Sequence, residues 1–463
     1  MTESFRTAHD TMGEMQIPAD ALWGASTQRA VENFPVSGDP VPLEVVHAHA
    51  MLKWAAATAN EEQDVVDAEV ADAIRRAADE VIDGQLDEHF PVDVFQTGSG
   101  TSTNMNVNEV VANRAKQLIG EDLGSDKVHP NDHVNASQSS NDSFPTSVHV
   151  AVARTAKNDL IPALEKLAAE LRSKAELWKD VVKSGRTHLM DATPVTLGQE
   201  FAGYARQVEL GVQRVDRALD SVYELALGGT AVGTGLNCPP GFVDRVIALM
   251  AERTGLPFRE AEDHFEAQGA RDALVEFSGA LKVVAASVFK IANDVRWLSS
   301  GPRTGLNEVQ LPEIQPGSSI MPGKVNPVIL ESVRQVAAQV IGNDAAVTIG
   351  GMSGDLELNV MIPLMARNVL ESERLLAAVS HVFVDKCLAG TEATDAGPQA
   401  VERSLMQVTA LVPEIGYERS AGLAKQAHKE GKTLREVAIE DGVDEALLDR
   451  VLDYKRMTEG GVL

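Results

Sequence analysis

Residues 274–298 read LVEFSGALKVVAASVFKIANDVRWL. Within them Leu274, Phe277, Leu281, Val284, Val288, Ile291, Val295 and Leu298 recur at spacings that alternate between three and four residues. That alternation is a heptad seam, and it predicts one uninterrupted helix whose apolar face meets other helices. At a rise of ~1.5 Å per residue the seam is about 36 Å long, more than a short partner could cover.

Working outward, a second seam uses Phe201, Tyr204, Val208, Val212, Val215, Leu219 and Val222. A third uses Leu160, Leu164, Leu167 and Leu171, after an N-terminal signal at Pro145-Thr146. Two more helical stretches follow Pro327 and Pro363. Five such helices predict an all-α protein on a long antiparallel five-helix bundle, with seams that continue into neighbouring subunits. The flanks are less regular. They set expected boundaries of a loop-rich helical domain at 1–138, the bundle at 139–395 and a small helical domain at 396–463, broken by Pro413 and Gly431.

A chain of 463 residues exceeds what one core usually serves, in keeping with three domains. Lys and Arg number 41 against 68 Asp and Glu, a net charge of -27. Such a surface repels a phosphate backbone, which argues against nucleic acid as a partner. Any anionic ligand must be held by a few local Lys, His and backbone N–H groups. Only Cys238 and Cys387 are present, too few thiolates for an iron-sulfur cluster or a four-cysteine zinc site. They allow at most one disulfide and point to a reducing compartment. Met1 to Asp10 is polar, and no run of about eighteen apolar residues occurs, so the expectation is a cytoplasmic chain without a membrane anchor.

Four segments carry chemistry. The first is Gly317-Ser318-Ser319-Ile320-Met321-Pro322-Gly323-Lys324-Val325-Asn326-Pro327, inside a loop at 313–327. Prolines at 312, 316, 322 and 327 exclude helix and strand, which leaves a functional loop or a connector that caps the next helix. The second is Gly98-Ser99-Gly100-Thr101, followed by Asn104-Met105-Asn106. A Gly/Ser/Thr loop opening a helix offers N–H groups to a carboxylate, or is simply a capped helix start. The third runs from His129-Pro130-Asn131-Asp132 to Ser139-Ser140-Asn141-Asp142. His129, Asp132 and His133 raise a metal reading, but Pro130 disfavours a helix with both His on one face and no Glu accompanies them. The fourth is Ser184 to Pro194, with Thr187-His188 at its centre; a lone His is more often structural than catalytic. No Gly-x-Ser-x-Gly elbow, phosphate loop or dinucleotide fingerprint is present.

The Gly317–Pro327 string resembles the signature loop of the aspartase/fumarase superfamily, and all four segments occur in that family's order. The likeness runs over nearly the whole chain and is greatest to the class II fumarases. His188 stands where aspartases carry Gln, and Gly323 where they usually have Ala. Ser102 departs from the Gln common in relatives.

The resemblance implies reversible hydration of fumarate to malate, with no metal, flavin or nucleotide cofactor. It implies Ser318 as the base that takes the C3 proton. Lys324 would stabilise developing negative charge, and His188 would protonate the departing hydroxyl, with Glu331 orienting its imidazole. Read without the family, Glu331 is a first-turn helix acid. Substrate contacts implied are Ser99, Gly100, Thr101, Ser139, Ser140, Asn141, Thr187, Ser319, Lys324, Val325 and Asn326. His129, Pro130, Asn131 and Asp132 resemble a second anion site. The family also implies a homotetramer with active sites shared between chains. The alternatives are aspartate ammonia-lyase or another C4-dicarboxylate lyase, and, from a different class, a non-catalytic helical scaffold.

Overall fold

The computed structural model describes residues 4–461; Met1–Glu3 and Val462–Leu463 lie outside the described residues. Of the polar amino terminus, Phe5–Asp10 (β1) pairs antiparallel with Gly13–Pro18 (β2). Helices then follow: α1 Ala25–Asn33, α2 Leu43–Glu62, α3 Ala68–Ile82, α4 Thr101–Leu118, α5 Ser140–Thr155 and α6 Ile161–Leu177. A second antiparallel hairpin joins Val182–Thr187 (β3) to Met190–Thr196 (β4). After it come α7 Leu197–Val222, α8 Phe242–Thr254, α9 His264–Gly269, α10 Asp272–Leu298, α11 Val328–Gly351 and α12 Ile362–Lys386. Short helices close the chain, from Ala396–Arg403 to Tyr454–Met457. The protein is mainly helical, and every described sheet has two strands.

The chain forms two compact units. One holds Met1–Pro162, Gln213–Ala285 and Ala338–Leu376; the other holds Ala163–Val212, Ala286–Ala337 and Ala377–Leu463. The division falls inside α6, α7, α10, α11 and α12, so each gives residues to both. All eight positions of the 274–298 seam are buried, none more than 5% exposed. Leu160, Leu164, Leu167 and Leu171 are each fully buried as well.

In the first unit α2 packs on α3, α5 and α8. It is buried on nearly every side and alanine-rich, which permits close approach from several sides. Val46, Ala50, Ile74, Val107, Val110 and Val111 belong to one contiguous core. In the second unit a smaller core around Leu411, Leu423, Leu434, Val437 and Leu448 holds the carboxy-terminal helices together. Gly431, at φ 67°, ends Tyr417–Glu430 in the left-handed conformation that favours glycine.

One reading is corrected. The N-terminal signal ahead of the third seam is at Ser140 and not at Pro145: Ser139 and Asp142 form a reciprocal capping box that starts α5, Pro145 lies inside it, and the chain runs on through a π turn at Ala156–Leu160 into α6, which carries Leu164, Leu167 and Leu171. The segment before α7 is a hairpin, and its turn carries His188. Cys238 and Cys387 are both free thiols. No helix among the described residues is long and apolar enough to cross a membrane.

Phe277 is fully buried on the α10 seam. Phe277→Ala should therefore cost about 3–5 kcal/mol, read as a lower guanidinium midpoint at unchanged slope.

Candidate active site

In the first unit two helix N-termini converge. Thr101 opens α4 and Ser140 opens α5, and their hydroxyls are 2.8 Å apart. Ser99 Oγ lies 2.8 Å from the same Thr101 oxygen, which makes a row of three hydroxyls. Each helix start carries unpaired N–H groups and a partial positive charge, so the convergence suits a carboxylate. Backbone geometry leaves no choice at Gly98 and Gly100. A Cβ on Gly98 would lie 1.6 Å from Val360 O; one on Gly100, at φ +76°, would lie 2.1 Å from the Phe144 ring. Ser139 is the α5 cap and accepts from Asn141 N, and Asn141 Nδ2 donates to Ala231 O (2.8 Å). Ser102 Oγ meets Thr97 Oγ1 at 2.9 Å.

Beneath these starts lies a buried polar network that sequence reading passed over. Lys53 is fully buried in α2 and donates to Asn104 Oδ1 (2.8 Å), Asn135 Oδ1 (3.0 Å) and Gln138 Oε1 (2.9 Å). His49 reaches the same Asn104 oxygen at 2.7 Å and Ser147 Oγ at 2.7 Å. Lys53 thus ties α4 to the chain that leads into α5. Burial pulls its pKa down to about 7, opposed by Asp142, whose own carboxyl burial pushes up. Asp142 accepts from Gly228 N (3.1 Å) and Thr230 N (2.9 Å), which holds a second unrecognised element, the loop with Gly228, Gly229, Gly233 and Gly235, against α5. Four glycines in eight residues were its signal, as a lysine within an apolar run was for Lys53.

His129 caps a π turn, Pro130–Val134, and its Nδ1 lies 3.2 Å from both the Asp132 N–H and the Asp132 carboxylate. Neutral, that nitrogen accepts from the amide; protonated, it donates to the carboxylate. Asn131 is exposed in the same turn, while Pro130 is half-buried. His129 N donates to His133 Nδ1 at 2.8 Å. Among the described residues no group of three or more His, Cys, Asp or Glu is arranged to hold a metal ion.

In the second unit the 313–327 loop is braced into a ring. Gly317 N donates to Lys324 O (2.8 Å), Lys324 N to Met321 O (3.2 Å), and Asn326 Nδ2 to Gly317 O (2.6 Å). A side chain at Gly317 would lie 2.4 Å from Lys324 O, so only glycine closes the ring. Inside it, Ser318 Oγ accepts from Ile320 N (3.2 Å) and Met321 N (3.0 Å). Two backbone dipoles aimed at one hydroxyl oxygen favour its negative form. Ser319, Lys324 and Val325 are exposed, and Lys324 and Asn326 line a cavity of about 310 Å³ with Asn307. Glu331 is an exposed first-turn residue of α11.

The second hairpin has a two-residue turn, His188-Leu189, at φ +56° and +62°. Such turns normally use Asn-Gly, and each non-glycine residue in this region costs roughly 1–2 kcal/mol. The strain presents Thr187 and His188 to solvent. Among the described residues of one chain, no hydrogen bond or ion pair joins His188 to Ser318 or Glu331.

A family profile described as lyase matches residues 13–342, and a second, the fumarase C C-terminus, matches 408–459. The chain belongs to the class II fumarase family. It is 56% identical over 460 residues to the class II fumarate hydratase of Corynebacterium glutamicum, covering 98% of this chain and 96% of that protein. The class II fumarate hydratase of Mycobacterium tuberculosis is 56% identical over 463 residues, at 98% and 96% coverage. The crystal structure of recombinant class II fumarase from Schistosoma mansoni superposes with a TM-score of 0.96 at 40% identity, covering 98% of this chain and 99% of that one.

Lys53 gives a pH prediction. Its folded pKa of about 7 lies below the ordinary lysine value of 10.5. Between those values the unfolded chain binds more protons, so stability rises with pH across that window, by up to about 1.4 kcal/mol per pH unit. Denaturation midpoints measured at pH 7 and pH 9 should diverge less in Lys53→Met; equal divergence in both proteins would contradict the assignment.

Proposed function

We propose that this protein catalyses the reversible hydration of fumarate to malate, the fumarate hydratase step of the tricarboxylic acid cycle. The reading is carried by the pair of backbone N–H groups on Ser318 Oγ. Taking the C3 proton of malate is hard because the electron pair left behind must spread into the neighbouring carboxylate as a dianionic aci-acid. A serine is a competent base for that step only as an alkoxide, and donors fixed on its oxygen lower the cost of reaching it. As the C3–H bond breaks, the pair moves into the carboxylate, and Lys324 with Asn326 and Ser319 meets the growing charge. The C2–O bond then breaks, the pair leaving with oxygen, and His188 donates the proton that releases it as water. Glu331 orients the imidazole.

Ser99, Gly100, Thr101, Ser139, Ser140, Asn141, Thr187 and Val325 complete the dicarboxylate site in this reading. The convergent starts of α4 and α5 support it for the carboxylate end. His129 to Asp132 form a second anion position. Aspartate ammonia-lyase is the second reading, and His188 with Gly323 disfavours it. Purified protein given malate and aspartate separately should raise the ultraviolet absorbance of fumarate only with malate; the reverse would exchange the two readings.

The same reading includes a cytoplasmic homotetramer whose sites draw on several chains. Its support is that His188, Ser318 and Glu331 are not joined within one chain, and that the apolar seams are long enough for bundle-on-bundle packing. Ser318→Ala should nearly abolish turnover while malate still binds. Lys324→Ala should lose on the order of 3 kcal/mol of transition-state stabilisation, read in kcat/KM. Ser318→Ala and His188→Ala chains, each nearly inactive, should regain activity when unfolded together and co-refolded, since some mixed sites receive both intact residues. No recovery in verified mixed tetramers would assign both residues to one chain.

A further inference from the structure

The strand that presents His188 carries two cations, Lys183 and Arg186, three residues apart. In a regular strand side chains at that spacing point to opposite faces, and one carboxylate could not reach both. Pairing of β3 with β4 shifts register between Ser184 and Arg186. The shift is a bulge on β4, where Ala192 and Thr193 lie opposite Gly185 alone, and a Cβ on Gly185 would lie 2.6 Å from Thr193 O. A bulge sharpens the local twist of the strand pair, which turns Arg186 away from strict alternation with Lys183. Both then meet Glu308: Lys183 Nζ lies 2.9 Å from Oε2 and Arg186 Nη1 2.8 Å from Oε1.

The surroundings bury this contact. The Lys183 and Glu308 side chains are each 2% exposed. Glu200, from α7, closes the group at 2.7 Å from Lys183, giving two cations and two carboxylates. Glu308 is itself pinned by its backbone, its N–H donating to Leu298 O (2.8 Å) and its carbonyl accepting from Thr394 N (3.0 Å). Gly397, in the helix Ala396–Arg403, lies so near that a Cβ there would sit 3.2 Å from Lys183 Cβ. A buried carboxylate therefore meets β3 at two points, and the second point is two residues before His188.

We propose that Glu308 is a positioning residue for His188: by pairing with Lys183 and Arg186 on either side of Gly185, opposite the β4 bulge, it sets the aim of the Thr187-His188 tip. The inference rests on His188 being the acid-base group of the reaction proposed above. Glu308 touches neither substrate nor His188, so its loss displaces the imidazole without removing a substrate contact. A displacement of the order of 1 Å costs about 100-fold in rate at comparable sites.

The test is a double-mutant cycle in the assembled enzyme, with malate as substrate. Glu308→Gln should lower kcat by about 10- to 100-fold while KM stays within about threefold. In a His188→Asn background, where asparagine tolerates the left-handed turn, Glu308→Gln should lower kcat no further. Glu308→Asp, which keeps the charge, should recover part of the single-variant loss, and it replaces Glu308→Gln in the cycle if that variant does not assemble. Near-normal kcat in Glu308→Gln would overturn the proposal. So would an equal loss with and without His188, which is what a purely structural role predicts. A fully active His188→Asn enzyme would instead sink the His188 assignment itself, so the two failures are told apart.

Discussion

A helix consumes its own backbone. Along the seam from Leu274 to Leu298 every N–H between the ends bonds within the helix, and the apolar face is spent on packing. Long helices of this kind leave reactive backbone and mobile side chains only at their ends and in the connections between them. The candidate chemistry obeys that constraint: the Ser318 loop precedes α11, the His188 hairpin precedes α7, and the Ser99 and Ser140 segments open α4 and α5.

The constraint also answers a difficulty of charge. At a net charge of -27 the protein as a whole repels a dicarboxylate. Attraction must come from sources that act within a few ångströms, and helix N-termini and fixed loop amides are such sources, short in range and independent of protonation. The buried Lys53 and Asp142 are different in kind: they hold the two helix starts in register from below, and each is drawn towards its neutral form by burial.

Much of this was legible in the chain. Apolar residues that alternate at three and four all the way from Leu274 to Leu298 line up on one side only if the backbone is helical, so the spacing settled the long helices. The proline-rich loop announced itself by excluding regular structure. The His188 turn was not legible, since nothing local marks a histidine and a leucine as turn residues; tertiary pairing of Val182–Thr187 with Met190–Thr196 imposes the conformation. Lys53 reads as an interruption of an apolar helix, and its role appears only when Asn104, Asn135 and Gln138 arrive from residues more than fifty positions away. Reaction and substrate class came from family likeness, because hydroxyls, amides and one histidine serve many chemistries.

The ring closed by Gly317, Lys324 and Asn326 bears on the entropy of the reactive loop. An open loop of eleven residues loses conformational freedom whenever it is ordered around a ligand, at roughly 1–2 kcal/mol per residue. Here Pro316, Pro322 and Pro327 already restrict the unfolded segment, and three hydrogen bonds fix its ends before any ligand arrives. The freedom is surrendered during folding, where the packing of α11 offsets it, and not at each turnover. Ser318 Oγ therefore has its two donors in position within the folded loop itself.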